Sequence, residues 1–263
     1  MKIFTIGAGN LAHYFAAQLN KNSNIKIEGG YVRNRAQASA FIEKCKFPIT
    51  DDWGAIPKNM DVYVLAVNDS AIEELAQQLD VHENALVIHC AGSQPLNLIG
   101  AKHKNKGIIW PLYSITKQLS YESDIPLVID ATNESTLDKV NRLAQALSKN
   151  IHTLNYDKRR ILHLNAVLVN NFSNHLFAIA EQLCVEQAID FNILKPIITQ
   201  TVTRLEHQSA KSAQTGPAIR GDENTINAQI ELLAANPLWQ QIYKAMSASI
   251  IDMKHTQLKG KKY

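Results

Sequence analysis

Over its first 155 residues the chain alternates short apolar runs with stretches whose apolar residues recur every three or four positions, the pattern of strands followed by amphipathic helices. The first run, with β-branched Ile3, Thr5 and Ile6, breaks into Gly7-Ala8-Gly9 and then into Leu11, Ala12, Phe15, Ala16 and Leu19 at helical spacing. A second strand is predicted over Ile25 to Val32, with a helix from about Ala36 to Lys44. Asp61 to Val67 reads as a buried parallel-type strand before a helix from Ala71 to Leu79, and Ala85 to Cys90 as the next strand. Gly107 to Ser114 and Ile125 to Asp130 are further strands, the latter placed at a sheet edge because it contains Pro126. A helix from Asn133 to Lys149 and a closing strand, Ile151 to Leu154, complete the alternation.

From Asp157 onward no strand pattern recurs. Lys158 to about Val185 is predicted as one long helix whose apolar stripe is wide enough to be buried on more than one side. A helix over Ile193 to His207, with Pro196 one turn in, leads to a polar loop, Gln208 to Gly221, and two shorter helices near Asn224 to Ala235 and Pro237 to Lys254. The fold class is therefore α/β: a Rossmann-like doubly wound, mainly parallel sheet over residues 1–154, followed by an all-α domain over 155–263.

The first turn has the form G-x-G-x-x-A, and each position has a physical reason. Gly7 makes the tight turn, Gly9 lets a pyrophosphate reach the backbone, and Ala12 lets the helix lie close on its strand. The anion then rests on the helix N-terminus at Asn10 and Leu11, where unpaired N–H groups and the dipole favour negative charge. In such units the end of the second strand holds the ribose: an acidic side chain there takes the 2′-OH of NAD, an arginine the 2′-phosphate of NADP. If the strand stops at Glu28, that carboxylate takes the first role; if it runs on to Val32, Arg33-Asn34-Arg35 occupies the ribose end. The strand character of Tyr31-Val32 and the value of Asn34 as an N-cap favour the second arrangement, and with it NADP over NAD. Ala66-Val67-Asn68 and Gly92-Ser93 follow two further strands at the edge where doubly wound sheets bind ligands, and are expected beside the nicotinamide half; the alternative is that Asn68 and Ser93 are ordinary cap and turn residues.

A substrate pocket is expected where the helical half meets the nucleotide domain. His163, Asn170 and Asn174, separated by seven and four residues, share a helix face, with Asn171 beside it. Amides on so apolar a helix point either to a polar cavity or to an interhelical network. His163 alone among them titrates near neutral pH and can serve as proton donor to a reduced carbonyl or imine. Arg220 can clamp a substrate carboxylate or pair with Asp222 or Glu223, and Asp222 can also cap the helix that follows it.

Composition narrows the alternatives. In 263 residues, 46% hydrophobic and 19% charged, a net charge of +3 with no basic block beyond the terminal Lys259-Gly260-Lys261-Lys262 gives no footprint for nucleic acid or an acidic membrane. No apolar run approaches the roughly 20 residues of a membrane span, and the first strand begins at Lys2, so a cytoplasmic protein is expected. Cys45, Cys90 and Cys184 lack the spacing of a zinc site or a disulfide framework and read as reduced thiols, and no metal site is expected.

The sequence resembles a bacterial family of NADP oxidoreductases with a Rossmann-like N-terminal domain and a C-terminal helical domain of unknown function. The resemblance rests on Gly7 to Ala12, Ala66 to Ile72, His89 to Ser93, Trp110 to Thr116, His163 to Val167 with Asn171 to His175, and Gln214 to Asp222. The chain departs from the family pattern at Asn68, where a proline is usual, at Trp110, where histidine or tyrosine is common, and at Gln229, in place of a histidine. The resemblance implies kinship with pyrroline-5-carboxylate reductases, 6-phosphogluconate-type dehydrogenases and deazaflavin-linked NADP oxidoreductases, and a homodimer built through the helical half. The expected activity is NADP-dependent hydride transfer with a small carbonyl, imine or hydroxy substrate, in which His163, Asn171 and Arg220 orient substrate. The alternative is an NADP-binding sensor without turnover.

Overall fold

A computed structural model describes residues 1–21, 24–116 and 124–260, so Lys261 and Lys262 of the basic tail lie outside the described residues. Among the described residues, one sheet is formed by β1 (Lys2–Ile6), β2 (Lys26–Tyr31), β3 (Ile49–Thr50), β4 (Val62–Leu65), β5 (Leu86–His89), β6 (Asn105–Pro111), β7 (Leu127–Ala131) and β8 (Ile151–Thr153). Their order is β3-β2-β1-β4-β5-β6-β7-β8, and every neighbouring pair is parallel except β6 and β7. The chain runs outward from β1 through β2 to β3 and then resumes on the other side of β1 at β4. This is the Rossmann-like doubly wound arrangement, with its switch point between β1 and β4, where such sheets bind ligands beyond their carboxyl ends.

The alternation of side chains sorts two cores onto the two faces of the sheet. On one face Ile3, Val64, Ile88, Ile109 and Ile129 pack against Ala12, Phe15 and Leu19 of α1 (Asn10–Leu19) and Val140 and Leu143 of α4 (Glu134–Gln145). On the other, Phe4, Ile6, Tyr63, Leu65 and Val87 receive Ile72 and Ala76 of α3 (Ile72–Gln78). Each of the Ile, Leu, Val and Phe side chains among them contributes roughly 1.5–3 kcal/mol by leaving water. A third cluster, Ile108, Trp110 and Val128, is covered in part by Leu154 and by Leu162 of α5 (Tyr156–Ala166). This contact places α5 with the sheet: the first compact unit runs from Met1 to Asn170, beyond the last strand.

Several local expectations are corrected. β7 is interior, paired with β6 and β8, because Pro126 precedes its first residue; the proline removes no ladder donor, and its carbonyl accepts from the Leu112 N–H at 2.8 Å. The second helix, α2 (Ser39–Lys44), starts later than Ala36, since Asn34 opens a turn ahead of it: its side-chain oxygen accepts from Gln37 N–H and its carbonyl from Ala38 N–H. The long helix is divided, with a π-helical segment at Val167–Phe172 between α5 and α6 (Ser173–Glu186).

The second unit, Asn171 to Tyr263, consists of helices joined by turns and short loops, with no strand among its described residues. Pro196 sits at the start of α7 (Lys195–Thr203) rather than one turn in, where its missing N–H costs no helical bond. The polar loop holds two short helices, α8 (Ala210–Ala213) and α9 (Pro217–Arg220), before α10 (Glu223–Leu232) and α11 (Pro237–Gly260), which at 24 residues is longer than the sequence suggests. Helix α6 ends in a Schellman motif: Ile189 N–H bonds the Cys184 carbonyl at 2.9 Å and Ala188 N–H the Val185 carbonyl at 3.2 Å. The motif forces Ala188 to φ 54, a left-handed conformation that glycine adopts without penalty. Ala188→Gly is therefore expected to stabilise the protein by about 1 kcal/mol, read as a rise in midpoint on thermal or urea unfolding.

Candidate functional site

The carboxyl ends of β1, β2, β4, β5 and β6 lie along one edge of the sheet, and the loops leaving them carry most of the residues singled out in the sequence. Gly7 joins three of these ends: its N–H donates to the Tyr31 carbonyl of β2 at 2.9 Å, while Ala66 N–H, leaving β4, donates to the Ile6 carbonyl at 2.8 Å. At φ 115, a Cβ on Gly7 would stand 2.3 Å from the Ala66 oxygen, so no other residue fits. Gly9 differs, since a Cβ there would meet nothing nearer than the same oxygen at 4.0 Å.

Gly9 is the N-cap of α1 and offers no side chain to its first turn, which also lacks an acidic residue. The contrast with α4, α5 and α10 is direct, because Asn133, Asn155 and Asp222 cap those helices through their side chains. The N–H groups at the start of α1 are thus left for an anion, and the space beside Gly9 is what a pyrophosphate requires. The residues present fit a dinucleotide. Ala12 is fully buried beneath this turn, and Asn10 ties it to the β6 exit by donating from Nδ2 to the Ile115 carbonyl at 2.7 Å.

At the β2 exit the strand continues to Tyr31, and Glu28 is the extra residue of a bulge: Ile3 pairs with Ile27 but Phe4 with Gly29. Glu28 is therefore in mid-strand, while Arg33, Asn34 and Arg35 follow the strand end, all exposed. Arg35 Nη1 donates to the Ile49 carbonyl at 2.7 Å, and Asn34 is occupied as the turn cap. At the β4 exit, Ala66 is buried, Val67 half-buried and Asn68 exposed ahead of a short 3₁₀ turn that its side chain does not cap.

The β5 exit is the most constrained of these loops. His89, Ile108 and Asp130 occupy one row across β5, β6 and β7, so their side chains leave the same face of the sheet. Over that row lies Arg159 of α5, which is fully buried. Its Nη1 donates to the carbonyls of Gly92 and Gln94 at 2.8 and 2.9 Å, and Nη2 meets Asp130 Oδ2 at 3.3 Å. Gly92 is held from its α-carbon as well, since a Cβ there would approach the Trp110 indole to 2.3 Å, and Ser93 stands half-buried beside it. His89 Nδ1 accepts from Ala91 N–H at 3.2 Å. Burial pushes this imidazole down to about 4 against the pull of the Pro95 carbonyl, and the nearby Arg159 charge adds to the depression.

His163 and Asn170 meet the segment leaving β6: the His163 ring lies 5.7 Å from that of Trp110, and Asn170 Nδ2 donates to Ser114 Oγ at 2.7 Å. Asn171, Asn174 and Arg220 belong to the second unit and are exposed there, Arg220 at the end of α9. Asp222 caps α10 by accepting from the Thr225 hydroxyl at 2.8 Å and its N–H at 3.1 Å, which holds the carboxyl below its usual range, with a smaller contribution from Arg220. Sequence reading passed over Arg159, which sits in the polar run Asp157-Lys158-Arg159-Arg160 and looks like surface. The available signal was its spacing, three and four residues before Leu162 and His163 and hence on their face of the helix.

Comparison with known proteins agrees with this geometry. Residues 2–92 match the family model "NADP oxidoreductase coenzyme F420-dependent", and residues 125–250 match a domain of unknown function, DUF2520. The chain is 32% identical to a Bacteroides fragilis protein described as a "putative NADP oxidoreductase", over 95% of this chain and 98% of that one, with a TM-score of 0.87. The fold is shared with 1-pyrroline-5-carboxylate reductase of Streptococcus pyogenes (14% identity, 97% and 98% of the two chains, TM-score 0.62). It is shared also with the NADP-bound pyrroline carboxylate reductase of Plasmodium falciparum (12% identity, 97% and 98%, TM-score 0.59). No curated protein matches the sequence.

The depressed His89 imidazole makes stability depend on pH with a definite sign. Unfolding restores the ordinary value of 6.5, so the unfolded chain binds a proton that the folded chain refuses until about pH 4. The contribution is full above pH 6.5 and is lost as pH falls toward 4, a change on the order of 3 kcal/mol. Urea unfolding across this range should show the slope, and His89→Gln should flatten it.

Proposed function

Because the chain belongs to the family of NADP oxidoreductases that includes the Bacteroides protein, we propose that it moves a hydride between a nicotinamide dinucleotide and a small carbonyl, imine or hydroxy compound. The observation that carries this reading is the open turn at Gly9 against the uncapped start of α1. Gly7, Gly9, Asn10, Leu11 and Ala12 form the pyrophosphate cradle. Support for NADP over NAD comes from Arg33 and Arg35 at the β2 exit and from Glu28 lying back in the bulge, away from the ribose end. Ala66, Val67 and Asn68 with Gly92 and Ser93 frame the nicotinamide half, and the cofactor, when bound, supplies the hydride. His163, Asn171 and Arg220 orient the substrate, with His163 holding the proton that a reduced carbonyl or imine takes up.

The helical part of the chain, counted from about residue 155, serves as substrate and dimerisation domain in this reading. Val185, Ile189, Ile193, Ile197 and Val202 stand exposed in the second unit, which supports association with a second copy. No described helix is long and apolar enough to cross a membrane.

Titration with NADPH and NADH, followed by a screen of oxo acids and cyclic imines for loss of nicotinamide absorbance, tests the reading. NADPH is expected to bind more tightly than NADH, and Arg33→Ala with Arg35→Ala should cost at least about tenfold in NADPH affinity while sparing NADH, as lost charge-assisted bonds imply. Binding without turnover of any such substrate would favour a sensor, and binding of neither cofactor would overturn the assignment. His163→Ala is expected to lower kcat by about a hundredfold with cofactor affinity nearly intact, the scale of a lost general acid. If stability alone fell, His163 would be a packing residue against Trp110. Light scattering on the purified chain should give twice the monomer mass.

A further inference from the structure

We propose that Arg159 is a positioning residue that sets the β5 exit loop in the shape that receives the nicotinamide half of the dinucleotide, an inference that rests on the function proposed above. Arg159 reaches the loop from within the layer, and among the described residues it is the largest side chain to be completely buried. One nitrogen, Nη1, gathers two carbonyls of the same loop, those of Gly92 and Gln94, at 2.8 and 2.9 Å. The other, Nη2, is braced by Asp130 Oδ2 at 3.3 Å. Asp130 belongs to the row that begins with His89, the last residue of β5, so the guanidinium spans the distance from the β7 strand to the loop that β5 feeds.

Docking α5 onto the sheet does not call for this arrangement. Removing a guanidinium from water is costly, and an apolar side chain of similar length would join the Ile108, Trp110, Val128 and Leu162 cluster without that cost. An apolar chain cannot, however, hold two carbonyls two residues apart and tie them to a carboxylate, and the planar fork of arginine can, with Nη1 on the carbonyls and Nη2 on Asp130. The site even tolerates an unmade bond to keep this geometry, since Arg159 Nε is buried with no partner. Ser93 lies between the two anchored carbonyls, and the Trp110 indole closes on Gly92, so the loop is held from both sides. A Tyr156 ring 5.6 Å from the guanidinium carbon adds a second restraint on the arginine itself.

The test separates the two halves of the dinucleotide. Full-length Arg159→Met and Arg159→Lys are titrated with NADPH and with adenosine 2′,5′-bisphosphate, the adenine half alone, and amide hydrogen exchange is followed across residues 90–95. The expected result is a loss of NADPH affinity of about tenfold or more, unchanged affinity for the adenine half within about twofold, and faster exchange in the β5 loop than in β1 and β4. Lysine supplies the charge without the fork, so it is expected to behave like methionine in the loop; it also keeps the experiment decisive if the methionine variant fails to fold. Equal weakening of both ligands, or no weakening of either in a folded variant, would overturn the positioning role alone. A wild-type protein that binds neither ligand would instead overturn the function on which the role depends.

Discussion

Everything at the ligand edge depends on the missing side chain of Gly7. Two backbone bonds, one from Gly7 to β2 and one from β4 to Ile6, draw three strand ends within reach of a single peptide, and only a residue without Cβ can pass the Ala66 carbonyl at that point. Once the turn is made, α1 must begin at Asn10 with its axis running back over the sheet, and its first N–H groups must face the space beyond β1 and β4. The open, uncapped start of α1 is thus a geometric result of closing the switch point. Gly9 then acts in the opposite sense, leaving room where Gly7 leaves none.

The far side of the same edge is governed by charge buried in an apolar layer. His89, Arg159 and Asp130 lie on the face occupied by Ile108, Trp110 and Val128, where an unpaired polar group would be costly. The arrangement meets this cost only in part, since His89 Nε2 and Arg159 Nε are buried without a hydrogen-bond partner, but each group has a defined state. Arg159 stays charged beside Asp130 and the loop carbonyls, and His89 stays neutral because burial and the arginine both oppose its protonation. One cation bonded to the loop carbonyls and one neutral ring beside it thus share the layer.

Sequence pattern made most of the sheet legible because its longer strands were bounded by residues with strong local preferences, while the two-residue β3 is too short to show a pattern. Gly7 and Asn133 marked their boundaries by conformational or capping need, and the continuous apolar runs of β4 and β5 pointed to burial on both faces. Pro126 misled, since a proline just before a strand and a proline within one look alike until the pairing is known. The helical half was harder for a related reason: helix periodicity does not reveal a π-turn such as Val167–Phe172, nor does it divide a polar stretch into the short helices around Gly216. Of the site, the glycine turn and the basic β2 exit could be read directly. Arg159 could not, because its two loop partners are main-chain carbonyls some 65 residues away in sequence, which no side-chain pattern encodes.

The bulge at Glu28 has a meaning beyond the local pairing. A strand's faces alternate with every residue, so one additional residue in β2 exchanges inside for outside over all that follows. Gly29 and Gly30, which fit beneath Phe4 and against Thr5, owe their orientation to that extra step, and the strand delivers Arg33 to Arg35 in the phase it sets. Where Arg33 to Arg35 stand at the β2 exit is accordingly a matter of strand phase as much as of residue type. A deletion in the middle of β2, three residues from the end of the strand, would change the phase of the whole segment that follows while leaving its sequence intact.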